Sequence, residues 1–351
     1  MSFHTAKPHP ASSHTTDADT TSVTIEMDTT AAADSLTPTA SKKLWLAALK
    51  PPMYCVAVMP ILVGSAVAYA ETGVFRLGVF FTFALSAVLL LIWENLSNDV
   101  FDADTGIDIN KHHSLVNLTR NRTLIFGLGN AALLLGIVGI LSISITAKDP
   151  TVLLMVLCCC VFGYLYQGPP FRLGYQGLGE ILCFLCFGPL AVGAAYYSQV
   201  QQWNSLGWAH SWSWQTALLP AAVTVGIATT LVLFCSHFHQ VEDDLKAGKR
   251  SPIVRMGTRR GAQLLPVACA TVLLTVVVAI AQGGLPLTAL LLSLSIPAAI
   301  RLCRHVLTFH DQPEQVSNSK FLAIHFHFWS GLLLTVSLVL STSAVLPPAV
   351  G

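Results

Sequence analysis

Apolar residues gather in long runs along this chain, and a run of about 20 is what a helix needs to cross the ~30 Å hydrocarbon core of a bilayer. In lipid, a helix also satisfies its own backbone hydrogen bonds. Nine such segments stand out, at roughly 53–70, 77–97, 122–146, 151–167, 177–199, 215–240, 262–282, 285–303 and 321–346. The fourth is short for a span. Gly283, Gly284 and Pro286 make a tight turn between the seventh and eighth. Only 11% of the residues are charged, against about 25% in a soluble domain. The net charge of +1 implies no nucleic-acid partner.

Basic residues test the segment count, because Lys and Arg collect on the cytoplasmic side. An odd number of spans puts the loops after segments two, four, six and eight on the side of the N-terminus. Of 19 Lys and Arg, 13 fall in those loops and four in the N-terminal segment on the same side, leaving only Arg76 and Lys148 opposite. Residues 1–43 are a different material, rich in Thr, Ser, Ala and Asp, with acids outnumbering bases. Such a stretch reads as a disordered extension. It fits neither a signal peptide nor an Arg-rich transit peptide. Residues 44–346 form the helical domain, and 347–351 form a short tail.

Polar groups enter abruptly where the second segment ends, in WENLSNDVFDADTGID, Trp93 to Asp108. If the helix continues, Asn95, Asn98, Asp99 and Asp102 stand at i, i+3, i+4 and i+7 on one face. An acidic face at the end of a membrane helix is costly unless a cation sits on it or water reaches it. Mg²⁺ favours such oxygens. The competing reading is a solvated loop. The sixth segment ends alike, in HFHQVEDDLKAGKRSPIVRMGT, residues 237–258. Along a continuing helix His237, Gln240 and Asp244 share one face, and His239 and Asp243 another. Two acidic helix ends on the same side of the membrane would hold Mg²⁺ between them, completed by the oxygens of a diphosphate. Lys111, Arg120, Lys249 and Arg250 lie close enough to hold a diphosphate directly, although positive-inside topology alone explains most basic residues. The expected fold is thus an all-α polytopic membrane protein, about nine transmembrane helices around a central cavity open to the cytoplasmic side.

Other motifs carry less. Cys183 and Cys186 make a CxxC inside an apolar run and have no second pair. The cysteines read as small apolar residues. His237 with His239, and His325 with His327, are two residues apart, so each pair points about 200° apart on a helix. Neither pair can ligate one metal alone. An ion transporter lined by Asp99 and Asp244 needs a path through both faces, whereas these acids cluster at one.

These residues resemble the UbiA superfamily of intramembrane prenyltransferases. Asn98-Asp99-Val-Phe-Asp102 matches the start of that family's first motif, NDxxD. A further acid four residues on, usual in ubiquinone-type members, is Gly106 here, while Asp108 fits the spacing of the naphthoate branch. The second motif, DxxxD, places its last acid on Asp244 and its first on Gln240. Either Glu242 and Asp243 substitute, or a second metal is held more weakly. Lys50-Pro51-Pro52 to Gly64, and the stretch from Gly163 to Glu180, are also similar to family segments. SHFHQVEDD, KRSPIVR and HSLVNLT resemble the cyanobacterial and plastid branch. The resemblance implies a Mg²⁺-dependent enzyme of a thylakoid or cell inner membrane, with its acidic motifs on the cytoplasmic side. It implies transfer of a phytyl or other prenyl group from its diphosphate to 1,4-dihydroxy-2-naphthoate, with loss of CO₂, towards phylloquinone or menaquinone. Metal ligation then falls to Asp99, Asp102, Asp243 and Asp244. Substrate contacts fall to Asn95, Asn98, Asp108, Lys111, Arg120, Arg172, His239, Gln240, Lys249 and Arg250. Tyr164, Tyr166 and Phe171 offer aromatic faces to an allylic cation, or else belong to the interfacial aromatic belt.

Overall fold

The structure, a computed structural model, describes residues 51–105, 114–201 and 212–345. All regular structure among the described residues is helical. In chain order come α1 (Tyr54–Thr72), α2 (Leu77–Thr105), α3 (Arg122–Ala147), α4 (Thr151–Gln167), α5 (Gly179–Val200), α6 (Leu218–Ser236), α7 (Thr258–Ala281), α8 (Leu287–Phe309) and α9 (Ser319–Val345). Eight of them, all but α4, are long and apolar enough to cross a membrane. The chain is an all-α polytopic membrane protein. With 17 residues, α4 is at the lower limit for a span. Its start packs near Gly193 and Trp212, and Gly163 near its end packs against Glu94 and Trp93, so it runs between the two ends of the bundle.

Helix α6 is the most enclosed element, with α1 next. Small residues set how closely these helices approach. A Cβ on Gly64 of α1 would lie 2.3 Å from the Val192 carbonyl oxygen of α5. A Cβ on Gly139 of α3 would lie 2.2 Å from Ser86 Oγ of α2. Backbone-close packing of this kind takes the place of the hydrophobic drive that lipid removes. The outer faces carry exposed Phe81, Leu85, Leu134, Leu274 and Leu294, as lipid contact requires.

The described loops fall into two sets. At one end Tyr196 Oη donates to Glu71 at 2.6 Å, and the Arg76 N–H donates to Gln199 Oε1 at 2.8 Å. At the other end lie the C-termini of α2, α4 and α6, and Thr258 pairs with His310 at 3.1 Å. The Asp108 and Lys111 expectations, and the whole of residues 1–43 and 347–351, lie outside the described residues.

Two helix ends differ from expectation. Helix α2 runs to Thr105, so the register placing Asn95, Asn98, Asp99 and Asp102 on one face holds. The sixth helix does not continue through Asp244. It stops at Ser236, turns through His237–Gln240, and restarts as the short helix Val241–Lys246. The shared faces of His237, Gln240 and Asp244, and of His239 and Asp243, are therefore not those of one continuous helix. The break has a physical reason. It buries Asp244 beside His237 while Glu242, Leu245 and Lys246 stay exposed.

Candidate active site

The end of α2 supplies two buried carboxylates. Asp99 is 2% exposed and accepts the Leu115 N–H at 3.0 Å, which ties the short helix Leu115–Thr119 to α2. Asp102 Oδ1 accepts from Gln167 Nε2, at the end of α4, and from Tyr175 Oη at 3.2 Å. Each bond gives a carboxylate oxygen a donor where burial has removed water. Asp104 faces outward and is held by Arg122 through two bonds of 2.8 and 2.7 Å, a surface fork rather than part of the site.

The break after α6 supplies the third. Asp244 is fully buried, with Oδ1 3.6 Å from Lys249 Nζ and Oδ2 3.5 Å from His237 Nδ1. Burial by itself would raise this carboxyl. The His237 imidazole, the Lys249 ammonium and the Ser251 hydroxyl outweigh it and hold Asp244 below the ordinary carboxylate range. The other imidazole nitrogen of His237 lies 3.5 Å from Glu180, in the first turn of α5. A row results in which carboxylates alternate with nitrogen bases: Glu180, His237, Asp244, Lys249.

The loop between α4 and α5 joins the two ends. Tyr175 Oη reaches Asp102 and also Thr105 Oγ1 at 2.8 Å. Its ring has Lys249 Nζ 5.7 Å away and Arg172 Cζ 5.8 Å away, both within cation–π range. Its carbonyl accepts the Arg250 N–H at 2.7 Å, and Gln176 O accepts from Arg255 at 2.6 Å. Burial and the Asp102 charge push the Tyr175 hydroxyl upward, so it serves as a neutral donor.

Asp102, Asp244, Lys249 and Arg172 thus come together around Tyr175, each directly or through one neighbour, and Asp99 stands three residues before Asp102 on α2. Arg250 is exposed and joins through its backbone, and Arg120 is an exposed helix C-cap. Asn95, Asn98, His239, Gln240 and Asp243 are half-buried. Tyr164 is exposed and donates to Pro169 O at 2.7 Å, and Phe171 is exposed too. Tyr166 is half-buried, its ring held close by Gly174 and Gly179. Sequence reasoning assigned no role to Gln167, Tyr175 or Glu180. Their partners lie 65, 73 and 57 residues away, a distance that no spacing rule spans.

The residues suit a magnesium ion in donor chemistry. No three His, Cys, Asp or Glu side chains converge among the described residues. Mg²⁺ needs only one or two carboxylates when a substrate phosphate and water complete its shell. Asn98 Oδ1 is buried without a hydrogen-bond partner, and Asp244 offers two buried carboxylate oxygens held by ion pairs of 3.5 and 3.6 Å, so hard oxygen donors stand at both ends.

Comparison with known proteins shows the family and the fold. The model described as the UbiA prenyltransferase family matches residues 57–332. The chain is 55% identical over 298 residues to the 2-carboxy-1,4-naphthoquinone phytyltransferase of Synechocystis sp., covering 85% of this chain and 94% of that one. It is 38% identical over 307 residues to the chloroplastic protein of the same name from Arabidopsis thaliana, covering 86% and 78%. Among solved structures, a UbiA homolog from Archaeoglobus fulgidus superposes with a TM-score of 0.55 at 16% identity, over 86% of this chain and 99% of that one.

Proposed function

The chain belongs to the UbiA prenyltransferase family, and from that premise we propose that it moves a phytyl group from phytyl diphosphate to 1,4-dihydroxy-2-naphthoate with loss of CO₂. It is an aromatic prenyltransferase acting on a naphthoate-type acceptor, as its relatives' names indicate. The observation that carries the finer reading is the joining of Asp102 to the Asp244–Lys249 pair through Tyr175. Carboxylates and cations meet there in one buried place, as a diphosphate with a divalent ion requires.

In this reading Asp99 and Asp102, with Asp244 and its neighbour Asp243, hold Mg²⁺. Bound Mg²⁺ neutralises charge on the departing diphosphate. Lys249 and Arg172 sit beside the same group as fixed cations, and Lys111, Arg120 and Arg250 are the further candidates. The allylic C–O bond breaks and its electron pair leaves with the diphosphate. The ring carbon bearing the carboxylate attacks the allylic carbon. CO₂ then departs, and the C–C bonding pair restores the aromatic ring. Tyr166 offers an aromatic face to the developing cation.

The relatives' names give the acceptor as a quinone, the form two electrons more oxidised. A quinone ring is electron-poor and a poor nucleophile, so we assign the attack to the diol. Membranes holding the protein, given reduced dihydroxynaphthoate, Mg²⁺ and phytyl or longer prenyl diphosphates, should yield the phytylated, decarboxylated diol by mass. Product formed equally well from acceptor kept fully oxidised would reject the diol assignment. Preference for a longer chain would reject phytyl and retain the naphthoate acceptor.

A further inference from the structure

Arg255 is exposed and has no part in the mechanism above. It belongs to the short helix Pro252–Met256, which is anchored by the fully buried Ile253 and by the Arg255 N–H bond to Ser251 O at 3.0 Å. Its guanidinium donates twice to backbone, from Nη2 to Gln176 O at 2.6 Å and from Nε to Arg250 O at 3.1 Å. The places of those two carbonyls matter. Gln176 follows Tyr175 and Arg250 follows Lys249, and the Lys249 Nζ and the Tyr175 ring lie 5.7 Å apart in the site. The Arg250 N–H donates in turn to Tyr175 O at 2.7 Å. Gly177 passes beside these bonds with φ at +78°, and a Cβ there would lie 2.7 Å from Arg250 O and 3.0 Å from Arg255 Nε. The loop between α4 and α5 is thus seated on the turn from Arg250 to Arg255 at backbone distance.

We propose that Arg255 is a positioning residue: its guanidinium fixes the loop between α4 and α5 against the turn after Lys249, and so holds Tyr175 where the hydroxyl reaches Asp102 and the ring meets Lys249. The inference rests on the diphosphate site proposed above. An arginine suits the task because its donors are rigidly spaced in one plane, so two carbonyls bound to it are set relative to each other. Those carbonyls belong to the neighbours of the two residues that link the acidic ends. Tyr175 Oη lies 3.2 Å from Asp102, and Lys249 Nζ lies 3.6 Å from Asp244. A slip of the loop separates the carboxylates of α2 from the cation beside Asp244 and unfolds no helix. Both bonds are exposed, so their loss changes placement more than stability. Small misplacements of this kind, made far from the reacting atoms, are costly to catalysis.

The test is a double-mutant cycle in the full chain, purified in detergent and assayed with Mg²⁺, phytyl diphosphate and dihydroxynaphthoate. Arg255→Gln should lower kcat about tenfold and weaken phytyl diphosphate binding in Mg²⁺, measured by equilibrium dialysis. The melting temperature and the KM for the naphthoate should not change. Arg255→Lys keeps the charge and loses the fork, so it should recover only part of the loss. Arg259→Gln removes a like charge from another exposed position and should match the wild type. In a Tyr175→Leu background Arg255→Gln should cost less than about twofold, since the group it positions is gone. Wild-type turnover in Arg255→Gln overturns the proposal. So does the same factor lost with Tyr175 present or absent, which assigns Arg255 to the fold or to direct substrate contact. Full recovery by Arg255→Lys, or an equal loss in Arg259→Gln, overturns it as well, because either makes the effect one of charge. A Tyr175→Leu protein with near-normal turnover sinks the diphosphate site and the positioning role with it. A costly Tyr175→Leu to which Arg255→Gln adds in full sinks the positioning role alone.

Discussion

Asp244 has its cation supplied from five residues down the chain, whereas Asp99 and Asp102 are met by neutral donors from elsewhere in the fold. The two ends should therefore answer differently to the same change. Asp99→Asn and Asp102→Asn remove negative charge at the end of α2, where the Leu115 N–H and the Tyr175 hydroxyl donate. Asp244→Asn also strands Lys249, which is 6% exposed. All three should lower kcat by about 10²- to 10³-fold, the scale of a lost electrostatic contact in a transition state. Asp244→Asn should in addition lower the melting temperature in detergent, because breaking a buried pair leaves an uncompensated charge. Near-normal turnover in all three would sink the diphosphate site. Tyr175 permits a finer test. Tyr175→Phe keeps the ring beside Lys249 and loses the bond to Asp102, so it should cost about tenfold in kcat, or about 1.4 kcal/mol. Tyr175→Leu loses both and should cost clearly more. Equal effects would assign the whole contribution to the hydroxyl. The three acids were legible in the sequence because charge is conspicuous inside an apolar chain. Tyr175 was not, since a tyrosine in a loop looks like an interfacial anchor.

Helix boundaries were legible wherever an apolar run met a polar one, and α3 and α4 fall within a residue of expectation. The break after Ser236 was not, because hydropathy falls off there whether the chain continues as a helix or turns. What decides it is tertiary, the burial of Asp244 beside His237 and Lys249. Packing between elements was equally hidden. Gly64 and Gly127 look alike in sequence, yet a Cβ on Gly64 meets the Val192 carbonyl oxygen, and one on Gly127 meets nothing within 4 Å. Gly64→Ala should force α1 from α5 and sharply reduce the yield of monodisperse protein. Gly127→Ala should leave yield unchanged, since alanine suits an exposed helix position at least as well as glycine. Equal yields would show that α1 and α5 do not pack as closely as described.

At the scale of the whole molecule the deciding question is α4. Removing one crossing would carry the loop between α4 and α5 to the opposite side of the membrane from the end of α2, and Tyr175 could not then reach Asp102. The geometry of the site and the topology of the chain thus stand or fall together. Seventeen residues rise about 25 Å at 1.5 Å each, less than an average bilayer core, and mismatch of that size is met by local thinning or by neighbouring helices. Charge gives an independent reading, because among the described residues only Arg76 and Lys148 of the basic residues fall on the side opposite the acidic ends. Single cysteines in a background without the nine native ones make the test direct. Pro150, Gln176, Lys246 and Gln282 are all exposed. In sealed vesicles of known orientation, an impermeant thiol reagent should label Gln176→Cys and Lys246→Cys from the cytoplasmic side. Pro150→Cys and Gln282→Cys should label only from the other. Labelling of Pro150→Cys and Gln176→Cys from one side would remove α4 as a crossing and with it the bridge between the acidic ends. Labelling that keeps Gln176→Cys with Lys246→Cys and Pro150→Cys with Gln282→Cys but exchanges the two faces would keep the bundle and invert it, and the diphosphate would then have to be supplied from the opposite compartment.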